Sequence, residues 1–438
     1  MNTEEYFPYI GHTLDKEFLE EGHIDFLTRG KSIKEFYFGD TFENCTEKNA
    51  KEDREVYQGN ERSLFSKITV KGASRYREIK ENSNNVIVTA SRHRSLADFI
   101  IGQPVHYHLI SKDLMLLAGD NLFLGPFSKI MRDSGAVMFL RDDKQVSAEG
   151  KESIFLTTKK YQSILSAYLK EQMGGESNVP RHDLIVFPEI SRSPEGAIIG
   201  GGRTKTGYIG DISPMPYAII DRALKKTDTK IFVAPVDISL SKYPDALFLN
   251  DTASIMPKIA KPARYLFELN YIFKRYPNYT YKDQNAMIDA TVTYSEPIRL
   301  SDMEGRQIIS KGGEDSLSHK IKRAIGESET VYPTTLLCRA MNGNDSITVG
   351  NLDEKVSYYV NRLNEKGIDT TNVSDDKGNP KSGEAIFYGA KRDLNSNPIL
   401  FLHLSSRSKN VLTYKNGEIR INNPALQNWY GNMLRHLV

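Results

Sequence analysis

Val86-Ile87-Val88, followed by His93-Arg94-Ser95-Leu96-Ala97-Asp98, decides how this chain is read. Three branched apolar residues in a row suit a short buried strand. Ser95 with Asp98 three residues later matches a capping box, so a helix is expected to start at Ser95. The turn between them carries a histidine and an aspartate. Inside one helix, five residues span about 500° of rotation, and the two side chains would not meet. With His93 just ahead of the helix and Asp98 in its first turn, they can. The positive helix end disfavours imidazolium and keeps His93 a neutral base. His93 is then a general base, Asp98 its orienting carboxylate, and the target a hydroxyl. Taken alone, the same residues also describe a capped helix beside a surface histidine.

The bulk properties bound the class. The 438 residues suffice for one large domain with appendages, or for two to three domains. At 39% hydrophobic and 26% charged, the composition is ordinary for a globular protein. A net charge of +2 gives no basic field for nucleic acid. Cys45 and Cys338 make no disulfide framework, so a reducing compartment is expected. No apolar run reaches the roughly 18 residues of a membrane span. Met1-Asn2-Thr3-Glu4-Glu5 lacks the apolar core of a secretory signal, and Arg435-His436-Leu437-Val438 carries no address or lipid anchor. The expected location is cytoplasmic, with peripheral membrane association for any work on lipid.

Residues 1–66 read as a polar, aromatic-dotted and mostly helical N-terminal segment, with short helices expected at Asp15–Glu21 and Ile33–Phe36. From Lys67 the texture changes. Ile68-Thr69-Val70 before Lys71-Gly72 reads as a strand and turn. Leu114 to Ala118, Ala136 to Leu140, Leu184 to Phe187 and Ile231 to Val236 are further apolar runs, with a long helix from about Lys151 to Gln172. Strands alternating with helices imply an α/β fold, a mixed central sheet flanked by helices. This block spans residues 67–300. Residues 301–438 read as an α+β extension: a helix over Asp353 to Leu363 stopped by Gly367, a loop from Ser374 to Gly383, and a hairpin turning at Asn416-Gly417.

Two further segments look like partners for His93. Gly135-Ala136-Val137-Met138-Phe139-Leu140-Arg141 is an apolar strand ending in arginine. Phe187-Pro188-Glu189-Ile190-Ser191-Arg192-Ser193 is a strand running into a polar turn that also carries one. Such sheets bind ligands beyond their strand ends, and guanidinium forks grip phosphate oxygens in pairs. Each arginine alone has a plain reading as a surface ion-pair partner.

These segments resemble the glycerolipid acyltransferases. That family carries H-x4-D, then G-x-x-F-I-x-R, then F-P-E-G-x-R-S, then an apolar block with proline, here matched in order with Val233-Ala234-Pro235-Val236 as the fourth. Lys205-Thr206-Gly207 is similar to the K-T-G of the glycerol-3-phosphate and dihydroxyacetone-phosphate branch, and Val292 to Ile298 to the family's closing strand. The resemblance implies acyl transfer from coenzyme A or acyl carrier protein to a phosphorylated alcohol, with no resident cofactor or metal. It implies His93 and Asp98 as the catalytic pair. Arg141, Arg192 and Lys205 would hold the acceptor phosphate, with Glu189, Arg94, Ser95 and Ser193 also at the substrate. Glycerol-3-phosphate is the leading acceptor. A lysophosphatidate or other phospho-alcohol acyltransferase is the alternative, and a non-catalytic lipid-binding scaffold a more distant one.

Two positions depart from the pattern. Ile190 stands where glycine would let the backbone approach a phosphate, and Asp142 where many glycerol-3-phosphate enzymes have a second arginine. Gly200-Gly201-Gly202-Arg203-Thr204-Lys205-Thr206 fails as a nucleotide loop, because Thr204 replaces the glycine before lysine. His106-Tyr107-His108 lacks companion ligands at metal-site spacing. Between Lys261 and Lys282, basic and aromatic residues alternate, which suits either a membrane interface or a core edge.

Overall fold

The computed structural model describes residues 4–11, 34, 37–38, 40–61, 63–95, 97–120, 123, 127–140, 142–146, 148, 151–175, 180–187, 212–244, 270–280, 282–310, 313–396, 411–434 and 437. Its centre is a ten-stranded sheet. The strands are β1 Cys45–Asn49, β2 Arg54–Gln58, β3 Phe65–Lys71, β4 Asn85–Ser91, β5 Leu114–Gly119, β6 Ala136–Phe139, β7 Asp183–Val186, β8 Lys230–Leu240, β9 Ile288–Tyr294 and β10 Ile298–Arg299. The order across the sheet is β1-β2-β3-β9-β8-β4-β7-β5-β6, with β10 beside β8. From β8 to β6 every neighbour is parallel, so these strands end on one edge. The β8–β9 pair is antiparallel, and so are β1–β2 and β2–β3. The sheet is therefore mixed, flanked by helices, as the alternation of apolar runs implies.

The main helices are α1 Ser74–Lys80, α2 Ala97–Leu109, α3 Thr158–Gly174, α4 Met215–Leu224, α5 Leu317–Glu327, α6 Pro333–Ala340, α7 Val349–Glu365, α8 Gly383–Asn395 and α9 Pro424–Met433, with further short ones before and between them. One sheet face, with Ile87, Val236 and Ile238, packs with Ile101 and Val105 of α2 in a core continuous with Leu336 and Trp429. The other, with Val86, Val88 and Val186, packs with Tyr161 and Leu165 of α3, Ile220 of α4 and Ile321 of α5. All of β4 is buried, which is why Val86-Ile87-Val88 at its centre is apolar without alternation.

Several local outcomes differ from the sequence reading. The helix expected from Lys151 begins at Thr158; Ile154–Leu156 instead pairs with Lys144–Val146. The Ile-Phe-Leu triplet prefers extended backbone, and Thr157 caps the helix by accepting from the Lys160 N–H. Of the two helices expected near the N-terminus, residues 15–21 lie outside the described residues, and of 33–36 only Lys34 is described. The strands β1 and β2 were not expected there. In the Lys261–Lys282 run, the described aromatics Tyr271 and Tyr276 are buried, so they belong to the core. The C-terminal expectations match closely. Helix α7 buries Leu352, Val356, Val360 and Leu363, and Gly367 follows with positive φ. Leu412–Lys415 and Glu418–Ile421 form the hairpin, with Asn416 and Gly417 both left-handed as a tight primed turn requires.

Gly72 ends β3 at φ +72, and a Cβ there would lie 2.1 Å from the Tyr294 carbonyl oxygen. Only glycine allows β9 to pass that closely. Nearby, Glu55 of β2 receives both prongs of Arg77 at 3.2 and 2.9 Å, and the Tyr57 hydroxyl at 2.7 Å. Burial pushes its carboxyl up, but the Tyr57, Arg77 and Lys48 contacts outweigh it and draw the pKa down to about 2. The unfolded chain therefore takes up this proton first as pH falls. The stabilisation is complete above pH 4.5 and is lost towards pH 2. After discounting for solvent screening it amounts to about 1–2 kcal/mol. Urea unfolding at about pH 5 and about pH 3 is expected to show a larger loss in the parent protein than in Glu55→Gln. Equal losses would remove Glu55 as the cause.

Candidate active site

His93 lies just past the end of β4, on the edge where β8, β7, β5 and β6 also end. Asp98 sits in the first turn of α2. The helix begins at Ala97 and not at Ser95, because Ser95 serves as its cap: the Oγ accepts from the Ala97 N–H at 3.0 Å. Asp98 completes the turn from the other direction. Its Oδ2 accepts the backbone N–H groups of Arg94 at 2.6 Å and Ser95 at 2.7 Å. Two charge-assisted bonds hold this buried carboxylate in one orientation.

His93 Nδ1 stands 3.6 Å from that same Oδ2. The separation exceeds a tight hydrogen bond, and such contacts commonly close only around a substrate. The imidazole is flanked by Phe99, edge-on at 4.9 Å, and Phe187 at 5.0 Å, themselves 4.2 Å apart. These two rings fix its plane and present an apolar wall. With Nδ1 directed at Asp98, the Nε2 lone pair is the one available to accept a proton from an alcohol.

The arginines on either side of His93 do something else. Arg92 Nη1 reaches Asp237 Oδ1 at 2.8 Å and Glu329 Oε2 at 3.3 Å. Arg94 Nη2 reaches Glu329 Oε1 at 2.6 Å, and its Nη1 donates to the Tyr243 hydroxyl at 3.0 Å. All four charged side chains are buried. Burial disfavours the Arg94 cation, but Glu329, Tyr243 and Asp237 more than compensate and push its pKa above the ordinary arginine value. At Glu329 burial outweighs the pull of Arg94 and holds the carboxyl above the ordinary glutamate value, while two guanidinium groups lie within 3.3 Å of it. The sequence reading put Arg94 and Ser95 at the substrate. In the structure Arg94 is committed to Glu329, and the Ser95 hydroxyl to the helix cap.

Arg141, Glu189, Arg192, Ser193 and Lys205 lie outside the described residues. What is described is the approach to them. Strand β6 ends at Phe139 and β7 at Val186, both on the edge that carries His93.

A second hydroxyl–imidazole–carboxylate chain provides a contrast. Thr89 Oγ1 is 3.2 Å from His106 Nδ1, and His106 Nε2 is 3.1 Å from Asp183 Oδ2. Its distances are better than those at His93, yet His106 and Asp183 are fully enclosed. Lys80 Nζ at 2.9 Å and the Ile87 N–H at 2.8 Å complete the shell of Asp183. No substrate reaches it, so it pins α2 to the sheet. Among the described residues, no group of His, Cys, Asp or Glu side chains is arranged to hold a metal ion.

The sequence reading missed Phe99, Asp237 and Glu329. Asp237 had a signal, as a carboxylate inside an otherwise apolar strand. Phe99 directly follows the motif aspartate. Glu329 had none, since its partners are far away in the chain.

Among the described residues no helix is long and apolar enough to cross a membrane. No protein-family model matches the sequence, and no curated protein gives a significant match. Among solved structures, the chain is similar to the 1-acyl-sn-glycerophosphate (LPA) acyltransferase PlsC from Thermotoga maritima, at 15% identity and a TM-score of 0.29, over 59% of this chain and 68% of that one.

Proposed function

We propose that this chain is an O-acyltransferase that moves a fatty acyl group from a coenzyme A or acyl carrier protein thioester to the hydroxyl of glycerol-3-phosphate, giving lysophosphatidate. The observation that carries the reading is the His93–Asp98 pair, 3.6 Å apart beyond the parallel strand ends, with Asp98 fixed by two backbone N–H groups. An alcohol is a poor nucleophile at neutral pH and needs a base in contact with it. His93 Nε2 takes the hydroxyl proton as the oxygen attacks the thioester carbon. The tetrahedral intermediate collapses, the carbon–sulfur bond breaks, and the imidazolium returns the proton to the leaving thiolate. Asp98 stabilises the imidazolium in between. In this proposal Arg141, Arg192 and Lys205 bind the acceptor phosphate, Glu189 orders them, and the enzyme works at a membrane surface. The order of the motifs and the shared strand edge support it.

Incubation with glycerol-3-phosphate, lysophosphatidate and mixed acyl thioesters, followed by mass spectrometry, tests it. Lysophosphatidate formed by saturable turnover of glycerol-3-phosphate is expected. Exclusive acylation of the lysolipid would replace the acceptor with the alternative. No transfer to either would favour a lipid-binding scaffold.

A further inference from the structure

We propose that Glu329 is a positioning residue for the His93–Asp98 pair, acting through the two arginines that flank His93. This rests on the reading of His93 as the base and adds a residue from outside the motif-bearing block.

The linkage is continuous. Glu329 Oε1 holds Arg94 Nη2 at 2.6 Å, and the backbone N–H of the same Arg94 donates to Asp98 Oδ2 at 2.6 Å. That oxygen is the one facing His93 Nδ1. On the other side of His93, Glu329 Oε2 meets Arg92 Nη1, which also binds Asp237 on β8. A third strand of contacts closes the ring. The Thr330 N–H donates to Ser239 Oγ at 3.2 Å, and Ser239 Oγ donates to Asp237 Oδ2 at 2.5 Å. The residue after Glu329 is thereby fastened to the strand that carries Asp237. Drawing Arg92 and Arg94 together onto one carboxylate leaves His93 between them to face Phe99 and Phe187. The segment is thus held on both sides of the base, and its peptide N–H is aimed at the carboxylate that orients the base.

The test reads His93 directly. In protein labelled with ¹⁵N histidine, loss of a resonance in His93→Gln identifies the imidazole among the nine histidines. Its neutral form is expected to carry the proton on Nδ1. In Glu329→Gln, which keeps the shape and removes the charge, that preference is expected to relax towards a mixture with the Nε2 form. The kcat is expected to fall about 10²-fold with KM nearly unchanged, as for a small misplacement of reacting groups. Arg94→Lys keeps a cation and the backbone donor but loses the fork between Tyr243 and Glu329. It is expected to show the same tautomer change, and it decides the matter if Glu329→Gln does not fold. An unchanged tautomer in a folded variant overturns the proposal whatever happens to the rate. So does a parent imidazole protonated on Nε2. A tautomer change in a protein that transfers no acyl group supports the positioning role and counts against the acyltransferase reading alone.

Discussion

Alanine in place of His93 is expected to slow acyl transfer by about 10²–10⁴-fold, the contribution of a positioned general base. KM for the acceptor is expected to change little, because in the proposed mechanism the imidazole acts on the hydroxyl proton alone. The fold should tolerate the change. The side chain is 12% exposed, and the contacts described for it beyond Asp98 are the rings of Phe99 and Phe187. Single-turnover rates on protein with an unaltered melting temperature would measure it. A retained rate would remove His93 from the mechanism. Asp98→Ala is less clean, since it also strips the acceptor that caps the Arg94 and Ser95 N–H groups.

Asp183→Ala is expected to do the reverse. It should cost about 3–5 kcal/mol of stability, the range for breaking a buried charge network by removing one partner. His106 Nε2 and the Ile87 N–H would lose their acceptor in a buried site, and Lys80 would keep only the Asn85 carbonyl. Burial alone would raise the Asp183 carboxyl, but His106, Lys80 and the Ile87 N–H outweigh it and hold it below the ordinary aspartate value. Its stabilisation is therefore present at neutral pH and lost in acid. Denaturant unfolding at neutral pH measures the loss. Molecules that remain folded should keep their turnover, because the Thr89–His106–Asp183 chain touches no substrate. A loss below about 1 kcal/mol would show that the network is not a structural tie. The two histidines thus separate cleanly: one has the better distances, the other has access.

The sheet was legible where burial leaves a strong mark. Strand β4 is enclosed on both faces, and its centre, Val86-Ile87-Val88, reads as an unbroken apolar run. The hairpin at Asn416-Gly417 was legible because its turn requires two left-handed residues. Strands β1 and β2 were not, since Cys-Thr-Glu-Lys-Asn at the sheet edge is almost wholly exposed and Arg-Glu-Val-Tyr-Gln beside it has only two apolar residues. At the candidate site, His93 and Asp98 were visible because their spacing is local. The ion-pair partner of Arg94 was not legible for the complementary reason. Next to a catalytic histidine an arginine suggests a substrate contact, and only the fold brings Glu329 against it.

The ion pair between Arg94 and Glu329 joins residues 235 positions apart. At about 5–20 residues per second of synthesis, roughly 10–50 s separate the appearance of the two side chains. During that interval the histidine segment has left the ribosome while the carboxylate that gathers its arginines does not yet exist. A nascent chain that already carries every recognised motif therefore still lacks the carboxylate that pairs with Arg94. On the proposed reading, competence for transfer comes only once the chain has grown past its own motif-bearing block.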